Sequence, residues 1–354
     1  MNNLLDQTLQ SLDSPEIKNS KNLYGIDIVK FIMAIFVVGV HTAPLHSFSA
    51  ELSYCFTDGL FRLAVPFFFI SSSWLFFRKV DIGNIDDKKF FQYMKRLLIM
   101  YFIWTAVYLF QIVKPVTITA ICHYVRVDWK YLFYFGSYNQ LWYLLSSVIG
   151  MAIIYVLLKI RISPKIVYGI ALFFGMLGII CFSYRYLLFG NLSDEKEALA
   201  KFFFTIRQPL LFGFPMLATG MMLTKVNIRL KRKTAVILCM CFVGLALLER
   251  GVVKFFDWVY VSDFSLFDIP MATMLLYVSA NLNLKEKKIY ILLRKSSILI
   301  YLIHPLFIIL FEKLFLDGNS LAKYVFVVTL SVGVSMILVS FERFKYMKWL
   351  KYIH

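Results

Sequence analysis

The sequence predicts an all-α protein that crosses a membrane several times, and two observations lead to that fold class. Of the 354 residues, 60% are hydrophobic and only 17% are charged, whereas a soluble domain of this size carries about 25% charged residues. The hydrophobic residues also form continuous runs about as long as a helix needs to cross a bilayer core. Because a membrane β-barrel would show alternating hydrophobicity instead, we predict a polytopic α-helical membrane protein.

About ten transmembrane helices are predicted from these runs. They cover residues 26–44, 59–77, 97–113, 141–158, 166–183, 203–223, 235–250, 266–282, 296–315 and 323–341. An even number of spans places both termini on the same side of the membrane. The predicted organisation is therefore a polar tail at 1–22, a transmembrane domain at 23–342 and a basic tail at 343–354.

The positive charge predicts which side the termini occupy. The formal net charge is +17, and a strongly basic protein is a candidate for binding nucleic acid. Here, however, most of the 38 Lys and Arg residues lie in the two tails and in every second connection between spans. Basic residues concentrate on the cytoplasmic side of membrane proteins. We therefore predict cytoplasmic termini and a multi-pass protein of the plasma membrane, with the lipid bilayer rather than nucleic acid as partner.

The first span carries two ionisable residues, Lys30 and His41, within "YGIDIVKFIMAIFVVGVHT". Ionisable side chains inside a bilayer are costly and usually functional. Eleven helical residues turn through about 1,100°, close to three full circles, and rise about 16 Å. The two side chains should therefore lie on one face of the helix. The alternative is that Lys30 extends to the inner headgroups and His41 meets the outer interface, without a chemical role.

Four segments in order resemble the membrane-bound acyltransferase-3 family. The first is the pair in the opening span, a basic residue and a histidine with ten residues between them, although most members have arginine where this sequence has Lys30. The other three segments are "FRLAVPFFFISSSWLFF" (61–77), "LWYLLSSVIG" (141–150) and "SSILIYLIHPLF" (296–307). One departure lies at "KRLLIM" (95–100), where many O-antigen-modifying members have two arginines separated by two residues.

The resemblance implies an O-acyltransferase, most simply an O-acetyltransferase. It would move the acyl group of cytoplasmic acetyl-CoA onto a hydroxyl of an extracytoplasmic acceptor, an envelope polysaccharide or peptidoglycan. His41 is then expected to be the general base, because imidazole titrates near neutrality. Lys30, Arg78, Lys95 and Arg96 are expected to hold the phosphates of the donor, with Lys30 assisting catalysis. The cytoplasmic bias of basic residues is the simpler explanation for most of these cations. No metal ion is expected.

The acceptor is expected to contact polar residues toward the outer ends of the spans. These residues are Asp58, Arg62, Arg207, Glu249, Tyr301 and His304. Asp58 and Arg62 lie one helical turn apart and can form an ion pair. For Glu249 the alternative is an ordinary interface residue, and for His304 it is a hydrogen bond between helices.

A second function stays open on the same resemblance. The sequence is similar to the membrane half of the serine racemases of vancomycin resistance, notably at "LLERGVVKFFDWVYVSDFSLFDIPM" (247–271). That half is assigned to substrate uptake, so the alternative prediction is a transporter of a small, serine-like amino acid. A third interpretation is a non-catalytic scaffold within a cell-envelope assembly.

Overall fold

The chain is predominantly helical in the part that the computed structural model describes, which is residues 23–114, 116–127, 129–189, 206–227, 229–258, 264–315 and 319–342. The predicted tails at 1–22 and 343–354 lie outside these residues. No β-strand occurs within the described ranges, and eight of the helices there are long and apolar enough to cross a membrane. The prediction of an all-α polytopic membrane protein is thereby confirmed.

We number the principal described helices α1 to α11 in chain order. They are α1 (Tyr24–Thr42), α2 (Ala50–Phe77), α3 (Asp87–Ile112), α4 (Ile118–Val127), α5 (Trp142–Lys159), α6 (Pro164–Ser183), α7 (a π-helical Arg207–Gly213 followed by an α-helical Phe214–Met222), α8 (Arg232–Phe255), α9 (Asp268–Ala280), α10 (Lys288–Leu314) and α11 (Ser320–Phe341). Each predicted span overlaps one of these helices, and α4 is additional. Residues 203–205 of the predicted span 203–223 lie outside the described residues. Because α7 and α9 are not among the eight spanning candidates, the number of spans stays a prediction, as does the cytoplasmic side of the termini.

Several helices begin at side chains that cap them. Asp86 accepts a hydrogen bond from the N–H of Lys89 at 3.2 Å before α3, and Asn319 accepts one from Leu321 at 2.8 Å before α11. Ser163 precedes α6 in the same role. The first N–H groups of a helix have no partner within it, so these side chains satisfy donors that would otherwise need water.

Close packing of α2 on α7 depends on Gly220. A Cβ atom at this position would lie 2.3 Å from the carbonyl oxygen of Ile70 and 2.9 Å from the N–H nitrogen of Trp74. The hydroxyl of Ser73 donates to the carbonyl of Leu217 at 2.5 Å across the same contact. Small residues let membrane helices approach until their backbones touch, so this pair forms a rigid centre of the bundle.

Helix α1 lies inside the bundle, packed against α10 and α2. Near its C-terminal end, a Cβ atom on Gly39 would lie 2.4 Å from a ring carbon of Phe61. The absent side chain lets α1 approach the part of α2 that carries Asp58 and Arg62. The position of α1 therefore brings the ionisable residues of the first span against protein groups from several other helices.

Candidate active site

Two histidines from distant parts of the sequence meet inside the bundle. The ring of His41, near the end of α1, lies 5.1 Å from the ring of His304 on α10, measured between centroids. His304 is fully buried, and the ring of Tyr301, one turn earlier on α10, lies 6.5 Å from it. The structure therefore joins the residue predicted as base to two that were predicted to contact the acceptor.

The protonation of His304 follows from the local structure of α10. Nδ1 of His304 lies 3.2 Å from the carbonyl oxygen of Ile300. A carbonyl only accepts, so in the neutral ring Nδ1 carries the hydrogen and Nε2 keeps its lone pair. Nε2 is buried and has no hydrogen-bond partner among the described residues. His304 thus presents an unprotonated nitrogen beside His41.

A proline shapes the backbone of α10 at this point. Pro305 lies inside the helix directly after His304, and it has no N–H to bond to the carbonyl of Tyr301. The next carbonyl, that of Leu302, accepts the hydroxyl of Tyr108 at 2.6 Å and the amide of Gln140 at 3.3 Å. Neighbouring elements are therefore anchored on the turn that carries His304.

The loop before α5 closes over the histidine pair. Tyr301 donates to the backbone carbonyl of Gln140, and the ring of Tyr138 stacks on that of Tyr108 with centroids 4.4 Å apart. Gln140 is 1% exposed, and its side-chain oxygen finds no hydrogen-bond partner in the described part of the chain. Sequence reasoning missed Gln140, because nothing in a single sequence shows that a residue in this connection reaches α10.

The same loop delivers Asn139 to His41. The side-chain amide nitrogen of Asn139 lies 3.4 Å from Nδ1 of His41. The side-chain amide of Asn139 can be rotated so that either its oxygen or its nitrogen faces the imidazole of His41. The atom that faces Nδ1 determines the tautomer of His41. When the amide oxygen faces Nδ1, this nitrogen carries the hydrogen and Nε2 is free to accept a proton. Asn139 is a second residue that was not predicted.

The N-terminal half of α2 contributes an ion pair. The guanidinium of Arg62 lies 2.8 Å from the carboxylate of Asp58, as the sequence predicted, and a π-helical segment, Cys55–Leu60, precedes Arg62. Arg62 is within electrostatic range of His41. Arg207 lies elsewhere, with its guanidinium 5.8 Å from the ring centroid of Phe182.

Lys30 lies at the other end of α1 in a cluster of charges. Asp27, Arg294 and Arg96 are all within electrostatic range of it, and the carboxylate of Asp27 lies 3.9 Å from the guanidinium of Arg294. Lys30 therefore faces protein groups from α3 and α10. Of the predicted donor contacts, the structure brings Arg96 to Lys30 and adds Arg294 from α10.

The other two predicted donor contacts lie apart from this cluster. Lys95 and Arg96 are both exposed on α3, and of the two, Arg96 is the one within electrostatic range of Lys30. Arg78 follows the end of α2, where its guanidinium lies 4.9 Å from the ring centroid of Trp74. The four cations that were predicted as one group therefore occupy more than one place in the fold.

Glu249 is held by protein groups near the end of α8. Its carboxylate accepts the hydroxyl of Tyr184 at 2.9 Å, the N–H of Leu266 at 3.0 Å and the hydroxyl of Ser265. Burial and this carboxylate raise the pKa of Tyr184, so the phenol stays protonated and donates. Glu249 thus fastens the segment before α9, and none of its described contacts reaches the histidine pair.

Arg250 forms a buried ion pair with Asp268, which was not predicted. Its guanidinium lies 2.7 Å from the Asp268 carboxylate, and both side chains are at most 3% exposed. Within the described residues, Nε and Nη1 of Arg250 and Oδ2 of Asp268 have no hydrogen-bond partner. The pair therefore retains hydrogen-bonding capacity. Asp268 and Ser265 also line a cavity of about 210 Å³ between α6, α7 and α9.

The fold and the site define a polytopic membrane protein in which a half-buried histidine, His41, meets a buried one, His304. The chain belongs to the acyltransferase-3 family, whose family model, described as an acyltransferase domain, matches residues 23–340. The predicted resemblance is thereby confirmed, and the chain is a membrane acyltransferase by family.

The relatives that match this chain are named as racemases rather than as acyltransferases. A serine/alanine racemase of Enterococcus gallinarum is 26% identical over 87% of this chain and 45% of its own length. An amino-acid racemase of Enterococcus faecalis is 30% identical over 38% of this chain and 18% of its own length. A second from that organism is 22% identical over 90% of this chain and 46% of its own length. The chain thus spans less than half of each of these relatives. No solved structure matches it.

Proposed function

We propose that the protein is an O-acetyltransferase that uses cytoplasmic acetyl-CoA to acetylate a hydroxyl of an envelope glycan. The observation that carries this proposal is the His41–His304 contact, with rings 5.1 Å apart, in a chain of the acyltransferase-3 family. An acyl transfer to a hydroxyl needs a base beside the acceptor, and the half-buried imidazole of His41, next to the buried one of His304, can supply it.

In the proposed reaction, one proton is transferred and the thioester bond of the donor is replaced by an ester bond to the acceptor. His41 takes the proton of the acceptor hydroxyl while its oxygen attacks the thioester carbonyl. The carbon–sulfur bond then breaks, and the proton passes to the sulfur of the leaving coenzyme A. Two cationic imidazoles side by side would repel each other, so the pair holds one extra proton at a time. Nε2 of His304, with its lone pair free, accepts a hydrogen bond from the reacting groups.

The residues around the pair suit a polyhydroxyl acceptor. The free side-chain oxygen of Gln140 can accept a hydrogen bond from a hydroxyl, and the amide of Asn139 can both donate and accept. Sugars present closely spaced hydroxyls that such groups recognise. The donor enters from the opposite end of α1, where Lys30, Arg96 and Arg294 are placed to attract its phosphates.

The test is acetyl transfer by membranes that contain the full-length protein. Radiolabelled acetyl-CoA is supplied with peptidoglycan or surface polysaccharide as acceptor, and the glycan is analysed by mass spectrometry. His41→Ala should lower transfer about 100-fold or more, which is the usual contribution of a general base. The matched control is His46→Ala, because His46 is an exposed histidine on the loop that follows α1. Equal acetylation by the two variants would contradict the proposal.

Uptake of a small amino acid is the second candidate, and one observation favours it. In the buried Arg250–Asp268 pair, two donor nitrogens of Arg250 and one carboxylate oxygen of Asp268 have no hydrogen-bond partner among the described residues. These are the partners that the carboxylate and ammonium of a zwitterion need, and Asp268 lines the 210 Å³ cavity. The named relatives act on amino acids. Uptake of labelled serine into proteoliposomes that bind no acetyl-CoA would favour this candidate over acetyl transfer.

A further inference from the structure

A cavity of about 610 Å³ lies at the ends of α2, α7 and α9 that the charge distribution predicts to be cytoplasmic. This volume is within the range of about 300–1,000 Å³ that small-molecule sites occupy. Its polar and aromatic lining comes from three elements. These residues include Trp74 within α2 and Arg78 just after it, Lys225 and Asn227 on the connection to α8, and Tyr277 and Asn281 at the end of α9.

The cavity is separate from the histidine pair. Trp74 and Ser72 are two residues apart, so they point about 200° away from each other on α2. The hydroxyl of Ser72 lies 3.3 Å from that of Tyr143, and the ring of Tyr143 lies 5.6 Å from that of Tyr301. Ser72 therefore faces the active-site side of α2, and Trp74 faces the cavity on the other side.

The walls of the cavity are held in place without a ligand. The hydroxyl of Tyr277 donates to the carbonyl of Leu230 at 3.2 Å and accepts from its N–H at 2.9 Å. This double contact fixes the far end of the connection that carries Lys225 and Asn227. Asn281 donates to the carbonyl of Tyr277 at 2.8 Å. The Gly220 contact between α2 and α7 fixes the remaining wall, so a ligand would meet a preformed site.

The charge of the lining favours an anion. Among the described residues of the lining, Arg78 and Lys225 are the cations and Asp81 is the one acid, which accepts a hydrogen bond from the N–H of Gly83 at 3.0 Å within its own loop. Burial lowers the pKa of Arg78, because its charged form loses hydration. A bound anion would offset that loss. The amides of Asn227 and Asn281 can donate further hydrogen bonds to oxygen atoms.

We propose that this cavity binds a phosphate ester, with Arg78 and Lys225 as its cationic ligands. A guanidinium matches two phosphate oxygens at once, and an ammonium adds a point charge. The group can come from the nucleotide end of the acyl donor or from the headgroup of an anionic phospholipid in the adjacent leaflet. The nucleotide source rests on the proposed function, whereas the lipid source does not.

The test has two binding arms on the full-length protein. In the first, the protein in zwitterionic phosphatidylcholine nanodiscs is titrated with 3′-phosphoadenosine 5′-diphosphate by calorimetry. In the second, native mass spectrometry measures the phosphatidylglycerol that stays bound to protein from mixed vesicles. Arg78→Gln/Lys225→Gln should weaken one of the two by about tenfold or more, as expected when charge-assisted contacts are lost.

The matched control is Lys231→Gln/Lys233→Gln, which removes the same charge from exposed positions at the start of α8. Loss limited to the cavity variant supports the proposal, and the arm that shows it identifies the source. No loss in either arm, or an equal loss in the control, would overturn the site. If the double variant does not fold, Lys225→Gln alone at an exposed position serves with a smaller expected effect.

Failure of this site and failure of the proposed function give different results. His41→Ala removes a residue on the other side of α2, so it should leave both binding measurements unchanged. If wild-type membranes transfer no acetyl group while the cavity variant still loses phosphate binding, the site stands and the proposed function falls. If wild-type membranes transfer the acetyl group while the cavity variant binds phosphate as well as the wild type does, the proposed function stands and the site falls.

Discussion

His304 combines complete burial with a ring nitrogen that has no partner among the described residues. Leaving such a group unpaired costs free energy of about 1–3 kcal/mol, so evolution toward stability alone would favour an apolar residue there. A substrate hydrogen bond would compensate for this cost during the reaction. The arrangement therefore points to a role for His304 in binding or chemistry beyond a bond between helices.

The first prediction distinguishes the role of Nε2 of His304 from that of Nδ1. His304→Asn keeps a donor for the Ile300 carbonyl but has no group at the position of Nε2. We expect a fall in kcat of about 100-fold, in the range of acid–base contributions, with an unchanged melting temperature. Initial rates of acetyl transfer and a thermal scan of the purified protein check this. Near wild-type turnover in the folded variant would show that Nε2 is not used.

The second prediction concerns the Arg250–Asp268 ion pair. Arg250→Met leaves the Asp268 carboxylate buried without its cation, which should lower the free energy of unfolding by about 3–5 kcal/mol. Arg250→Met/Asp268→Leu removes both charges and should recover most of that loss. Equilibrium unfolding in mixed micelles measures both. A single variant as stable as the wild type would mean that the pair contributes little to folding and is free to serve a substrate.

Single residues were partly predictable from the sequence. Lys30 and His41 were found because ionisable groups are rare in apolar helices, and Asp58 and Arg62 because residues four apart are neighbours on a helix. Asn139 and Gln140 were missed because their partners lie 98 and 162 residues away in the chain. Asp268 was missed because its partner Arg250, 18 residues earlier, lies on a different helix. A single sequence contains no signal for such contacts.

At the level of the elements, helix packing rather than helix propensity decides where the site lies. Pro305 frees a backbone carbonyl on α10, and Gly39 lets α1 approach α2. The sequence placed every predicted span on a helix, because long apolar runs are a strong signal. It did not show the π-helical segments of α2 and α7, which depend on how each helix meets its neighbours.

The third prediction tests the contact between α2 and α7. Gly220→Ala introduces a methyl group where a Cβ atom would lie 2.3 Å from a backbone oxygen, so the helices must separate. Overpacking of this kind costs about 1–3 kcal/mol. The matched control is Gly169→Ala on α6, where nothing lies within 4 Å of the added carbon. Thermal unfolding should show a lower melting temperature only for Gly220→Ala, and equal behaviour of the two variants would contradict this packing.

At the level of the whole molecule, the distribution of basic residues predicts the orientation of every helix. The structure gives the arrangement of helices, but the side of the membrane on which each end lies is still a prediction. It follows from the concentration of Lys and Arg in alternate connections. The orientation matters for function, because it assigns Lys30 to the donor side and His41 to the acceptor side.

The fourth prediction tests this orientation by thiol labelling in intact cells. In a background without other cysteines, Cys122 on α4 should react with a membrane-impermeant maleimide from outside. Lys287→Cys, just before α10, should react only after the membrane is permeabilised. Cys241, within the spanning helix α8, is the negative control. Reaction of the Lys287→Cys variant in intact cells would reverse the assigned sides.

The meeting of α1 with α10 has a consequence for biosynthesis. Helix α1 is translated and inserted before α10, because it precedes α10 in the chain. A nascent or truncated chain would therefore already hold Lys30 and His41 in the bilayer, yet it could not complete the pair of imidazoles. If the pair is catalytic as proposed, activity would require the insertion of α10 as well as α1.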